Sequence, residues 1–168
     1  MGKYSFTTAL AISAALLSTG AEAKKAPPPK PAIVRTSPNP NAVISSTATV
    51  PPGFKTVYIS GTTPSPLDPA KPDDLGDTRA QTLSILTKMK AQLESMGMGM
   101  GDIVKMTVFL VAPTPGGRMD SAAMNDVFKT FFGTPDQPNK PTRSTIQIAA
   151  LGRPTMYVEI EAIAAKAP

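Results

Sequence analysis

The sequence predicts an α+β layer, a mixed sheet with two helices on one face. Three observations carry that expectation. Two stretches, 77–97 and 120–133, set apolar side chains at helical spacing between an opening Asp and a closing Gly. Four stretches, 55–60, 103–111, 143–151 and 156–164, are rich in β-branched and other apolar residues, with Gly or Pro nearby. Counting a first edge strand in 42–50, the order is strand, strand, helix, strand, helix, strand, strand. That order puts both helices on one side of the sheet and leaves the other side without a cover from the same chain. A face left open in this way is buried between copies or shaped into a binding cleft.

Each element has a local cause. The strand at 55–60 ends at Gly61, and four prolines keep 62–77 a loop. Asp77 is placed to cap the first helix, in which Leu83, Leu86, Met89 or Lys90, Leu93 and Met96 form the stripe and Gly97 the stop. In 103–111, Val104, Met106, Val108 and Leu110 make one apolar strand face. A turn follows at 113–117. Asp120 or Ser121 then opens the second helix, with Met124, Val127, Phe128 and Phe131 inward and Gly133 closing it. The last two strands follow one another through a short turn at Gly152, Arg153 and Pro154.

Upstream of the domain the chain reads as an address. Lys3, the apolar run 6–17 and the small-x-small triplet Ala21, Glu22, Ala23 have the form of a secretory signal peptide over residues 1–23. Cleavage is expected after Ala23, with a periplasmic or secreted product. Residues 24–41 read as a Pro-rich basic linker and 42–168 as the domain. Eight of the nineteen prolines fall between Lys24 and Gly53.

Composition narrows the chemistry. The 168 residues include no His, Cys or Trp. A Ser-His-Asp triad, a thiolate nucleophile, imidazole ligation and cysteine-held zinc are therefore excluded. The formal charge is +5, but residues 54–168 hold twelve basic and eleven acidic side chains. The excess belongs to the leading segment, so net charge gives the domain no basic nucleic-acid face.

Several motifs together resemble one family. Val57-Tyr-Ile-Ser-Gly61, Gln81-Thr82, the run from Gly101 to Leu110, Asn125 before Asp-Val-Phe, Pro141-Thr-Arg-Ser-Thr145 and Val158-Glu-Ile-Glu-Ala are similar to the Rid family, also called YjgF or L-PSP. They occur in order and without large gaps from about 42 to 165. The resemblance implies a chorismate-mutase-like fold assembling as a homotrimer with clefts between subunits. It implies hydrolysis of reactive 2-imino or 2-enamino acids to 2-keto acids and ammonia, with no metal and no organic cofactor. It implies a small imino or keto acid as partner; the near-neutral domain argues against a nucleic-acid partner, and the short apolar run 6–17 against stable membrane insertion.

By the same resemblance Arg143 is the family's signature arginine and Glu159 its glutamate, with Ser60, Gly61, Asn125 and Thr145 lining the substrate. The residues offer a physical reading beside it. If Ile146 and Ile148 face the core, Arg143, Thr145 and Gln147 lie on the other face. A planar guanidinium there can clamp a carboxylate. Glu159, on the strand taken to be the neighbour, would point into the same cleft and hold the attacking water. The chain departs from the family pattern at Thr62, at Thr145 and near Val43, where the family often has Gln, Cys and a Pro-Tyr pair. Two functional readings follow, the deaminase and a non-catalytic periplasmic trimer that binds a small carboxylate. Ribonuclease and chaperone-like roles rank below them. Lys105 reads as an interface or surface lysine. The alternating Met96 to Met100 string reads as a flexible loop rather than a Cu(I) site.

Overall fold

The computed structural model describes residues 1–2 and 29–168. Residues 3–23 of the expected signal peptide, Ala23 included, and residues 24–28 of the expected linker lie outside the described residues. The chain divides into two compact units, Met1–Lys30 and Pro31–Pro168. Every described element belongs to the second. Among the described residues no helix is long and apolar enough to cross a membrane.

The second unit starts earlier than the expected domain. A strand β1 (Val34–Thr36) lies inside the stretch read as linker and pairs antiparallel with β2 (Thr47–Thr49). Val34 and Thr36 are β-branched, and the Thr36 hydroxyl lies 2.6 Å from that of Thr47. Between them Arg35 donates from Nη2 to the carbonyls of Gly101 and Ile103, at 2.8 and 3.2 Å. A residue counted from sequence as tail charge is thus tied to the domain. Burial holds its pKa below the ordinary arginine value, against the opposing pull of Asp102.

The main sheet has four strands: β3 (Lys55–Thr62), β4 (Ile103–Val111), β5 (Thr142–Ile148) and β6 (Val158–Lys166), in the order β3-β6-β4-β5. β4 and β5 run parallel, and the other neighbours are antiparallel. The parallel pair is what a helical crossover between two strands produces. β5 and β6, consecutive in sequence, do not pair. β4 lies between them.

Helix α1 (Thr78–Ser95) begins where expected, with Asp77 Oδ1 accepting from the Ala80 amide at 2.8 Å. It ends in a Schellman cap. Gly97 takes a left-handed φ of 70°, its N–H reaches the Glu94 carbonyl, and the Met98 N–H reaches Leu93. Met98 and Met100 then turn into the core. The Met string is therefore a helix cap followed by core side chains, not a loose loop. The buried stripe of α1 is Gln81, Ile85, Leu86, Met89 and Leu93, whereas Leu83 is half exposed. Helix α2 (Ser121–Phe131) is capped by Asp120 through the Ala123 amide and buries Met124, Val127 and Phe128. These side chains meet Met106, Val108 and Leu110 of β4 and Val158, Ile160 and Ala162 of β6 in one core.

Candidate functional site

Paired residues on adjacent strands share a sheet face, so the register sorts every candidate. Met106 of β4 is fully buried beneath the helices, and it pairs with Arg143 on one side and Ala162 on the other. Arg143, Thr145 and Gln147 therefore lie on the helix side. Ser144, Ile146 and Ile148 pair with Thr107, Phe109 and Val111 on the open side. This reverses the expectation that Ile146 and Ile148 face the core. Ile146 is 44% exposed.

On the helix side Arg143 is held tightly. Its Nη2 donates to Asn125 Oδ1 at 2.7 Å, its Nη1 approaches Met124 Sδ at 3.7 Å, and its Cζ sits 4.3 Å from the centre of the Phe128 ring. Burial pushes its pKa below the ordinary value. Among the described residues no acid pairs with it. Its Nε and the Thr145 hydroxyl are buried and make no hydrogen bond. A desolvated cation with an unused donor is a strong point of attraction for an anionic group. Arg143, Asn125 and Thr145 thus form one half of the predicted site. Sequence reasoning missed the wall made by Met124 and Phe128. Both were read as helix core, and each is core while also touching the guanidinium.

The other half lies across the sheet. β3 pairs Ile59 with Ala162 but Thr62 with Ile160, so Ser60 and Gly61 sit in a one-residue bulge. The Glu159 side chain lies over that bulge. A Cβ on Gly61 would collide with its carboxylate and come within 2.9 Å of its Cδ. The missing Cβ of Gly61 is what lets the flexible carboxylate end of Glu159 rest there. Glu159 pairs with Phe109 and so faces the open side.

Ser60, Gly61 and Glu159 are together, but Arg143 is not with them. β5 and β6 are two strand spacings apart, about 10 Å, and the two side chains leave opposite faces. Within one chain the expected convergence of Arg143 and Glu159 does not occur, because β4 separates their strands and reverses the assumed face of β5.

A family model described as Endoribonuclease L-PSP matches residues 38–166. The chain belongs to the endoribonuclease L-PSP family. Among curated relatives, TdcF of Escherichia coli K12, provisionally named a reactive intermediate deaminase, is 36% identical over 110 residues, which cover 66% of this chain and 78% of TdcF. The crystal structure of E. coli TdcF with bound serine superposes with a TM-score of 0.54 at 34% identity, covering 70% of this chain and 85% of that one. RidA from an Antarctic Psychrobacter species gives 0.54 at 30% identity, covering 78% and 94%. The mixed α+β fold is that of the Rid/YjgF proteins, chorismate-mutase-like.

In this L-PSP chain the open face carries further polar groups. A concavity of about 480 Å³ is lined by Tyr58, Ser60, Lys105, Thr107, Glu161 and Ile163, among others. Tyr58 is 78% exposed, and Lys105 Nζ donates to Ser144 Oγ at 2.9 Å. Lys105 is thus a surface lysine hydrogen-bonded to a hydroxyl. Gln81, quoted above only as a motif, is fully buried and makes four hydrogen bonds.

Proposed function

We propose that this chain is a hydrolytic deaminase of reactive 2-imino and 2-enamino acids, forming 2-keto acids and ammonia. The observation that carries the reading is the Arg143 guanidinium, desolvated and without an acidic partner among the described residues. A substrate carboxylate supplies the missing charge, taken through the remaining Nη hydrogens of the guanidinium, since Nε is buried. Asn125 and Phe128 hold the guanidinium plane so that little order is lost on binding. Water, oriented by Glu159, adds to the C=N carbon. One water proton passes to the nitrogen; the hydroxyl proton of the carbinolamine then follows it, the C–N bond breaks as the C=O bond forms, and ammonia leaves.

Because the two halves occupy opposite faces and edges, one site is completed by two copies. The helix side of the β5 edge in one copy meets the bulge side of the β3 edge in the next. Such a head-to-tail contact uses two different surfaces and makes a ring when its rotation closes, and a homotrimer is the proposed ring. The serine held by TdcF is an amino acid, of the carboxylate class this site suits. The family's name suggests ribonuclease action, but a near-neutral domain without His offers little for a polyanion. Export through residues 1–23, with cleavage after Ala23, belongs to the same proposal. Intact-mass analysis of the secreted chain tests it.

The separation of Arg143 from Glu159 favours a second reading, a trimer that binds small carboxylates without turnover, since the arginine half alone suffices to hold one. The deciding experiment generates 2-iminopropanoate in situ and follows its decay with the wild type and Arg143→Ala. Wild-type decay well above the variant supports the deaminase. Equal decay, with a 2-keto acid still raising the melting temperature, leaves the binding module.

A further inference from the structure

Gln81 lies one helical turn into α1, yet its side chain reaches β6. Its Oε1 accepts from the amides of Tyr157 and Val158 at 2.7 and 3.2 Å. Its Nε2 donates to the carbonyls of Thr155 and Gly76 at 2.8 and 3.0 Å. All four capacities of the amide are used, and the side chain is fully buried. The two amides it takes belong to the residues where β6 joins the sheet. Glu159 is the next residue along, and its carboxylate lies over Gly61.

From this geometry we infer that Gln81 is a positioning residue for Glu159. It fixes the start of β6 in place and in register, so that position 159 meets Phe109 on the open face. The register matters because a slip of one residue sends a strand side chain to the opposite face. An ordinary core residue at position 81 could fill the space but could not hold these amides. The Glu159 carboxylate itself makes no hydrogen bond among the described residues, so its place depends on its backbone. The catalytic part of this inference rests on the deaminase reading; the positional part does not.

The test compares Gln81→Met, which keeps the volume and removes the amide, with Gln81→Glu. A buried Glu taken up in its neutral form keeps one acceptor for the strand amides and one donor for a carbonyl. Leu93→Ala, a core change at the opposite end of α1 from Gln81, serves as a control for lost stability. Gln81→Met is expected to lower kcat about ten- to a hundredfold while KM and the affinity for a 2-keto acid stay within about twofold. Gln81→Glu is expected to recover most of that loss, and Leu93→Ala to leave kcat near wild type. An unchanged kcat in Gln81→Met, or KM and kcat moving together, overturns the assignment. If Gln81→Met does not fold, Gln81→Glu across pH decides. Its kcat should fall as the buried carboxyl ionises, and a pH profile identical to wild type counts against the inference. If the wild type itself turns over no imine, the deaminase reading fails separately. The crystal structure of the variant then decides the positional claim, supported by a Glu159 displaced from Gly61 and refuted by one that has not moved.

Discussion

At the β5 edge a cation is fixed by its surroundings: Asn125 holds one nitrogen of Arg143, Phe128 lies under its plane, and the side chain is half-buried. At the β3 edge a carboxylate is placed by backbone alone. Glu159 rests over the Ser60–Gly61 bulge, its strand start held by Gln81, with no side-chain hydrogen bond among the described residues. The difference separates two tasks. A group that anchors a ligand gains from being rigid before the ligand arrives. A group that moves a water or a proton needs a fixed origin and a free end.

The comparison breaks most completely in a mixing experiment. Arg143→Ala and Glu159→Gln are each expected to be nearly inactive alone. If each site joins two copies, unfolding and refolding an equal mixture should restore about a quarter of the sites. A mixture as inactive as its components would place both groups in one chain's site and discard the composite arrangement. The next largest effect is expected from Arg143→Lys. It keeps the charge but loses the planar fork, and should cost about 2–5 kcal/mol of transition-state stabilisation, read as kcat/KM. Near wild-type activity would mean that charge alone suffices. Gly61→Ala should then sharpen the other half. Its Cβ displaces the Glu159 carboxylate, so kcat should fall about tenfold with melting temperature little changed. The smallest effect concerns Thr145, whose hydroxyl is buried without a partner. Thr145→Val should be neutral or stabilise the free protein by about 1 kcal/mol in thermal melts. A clear loss of stability would show that the hydroxyl is satisfied within the fold.

Much of the fold was legible because its causes are local. The strand Ile103–Val111, the Asp77 and Asp120 caps and the Gly97 stop follow from side-chain alternation, short polar side chains and a left-handed φ. The stripe of α1 was partly misread at Leu83, since Gln81 and Thr82 take buried positions that polarity argues against. Gln81 is buried because its amide is wholly satisfied, and a sequence does not display its partners. β1 was hidden for a related reason. Three residues among prolines carry a weak pattern, and only pairing with Thr47–Thr49 makes them a strand.

By itself, then, the sequence determined the element types, the family resemblance and the exclusion of His- and Cys-based chemistry. Tertiary structure decided which residues meet. Ile146 and Ile148 looked like core because they are apolar, yet the sheet's open face mixes apolar side chains such as Phe109 and Val111 with polar ones, and face identity belongs to register rather than composition. β6 looked like the neighbour of β5 because it follows in sequence, yet β4 and β5 pair through the α2 crossover and β6 enters beside β4. That single insertion puts Arg143 and Glu159 on opposite faces, so one chain does not bring the two groups together.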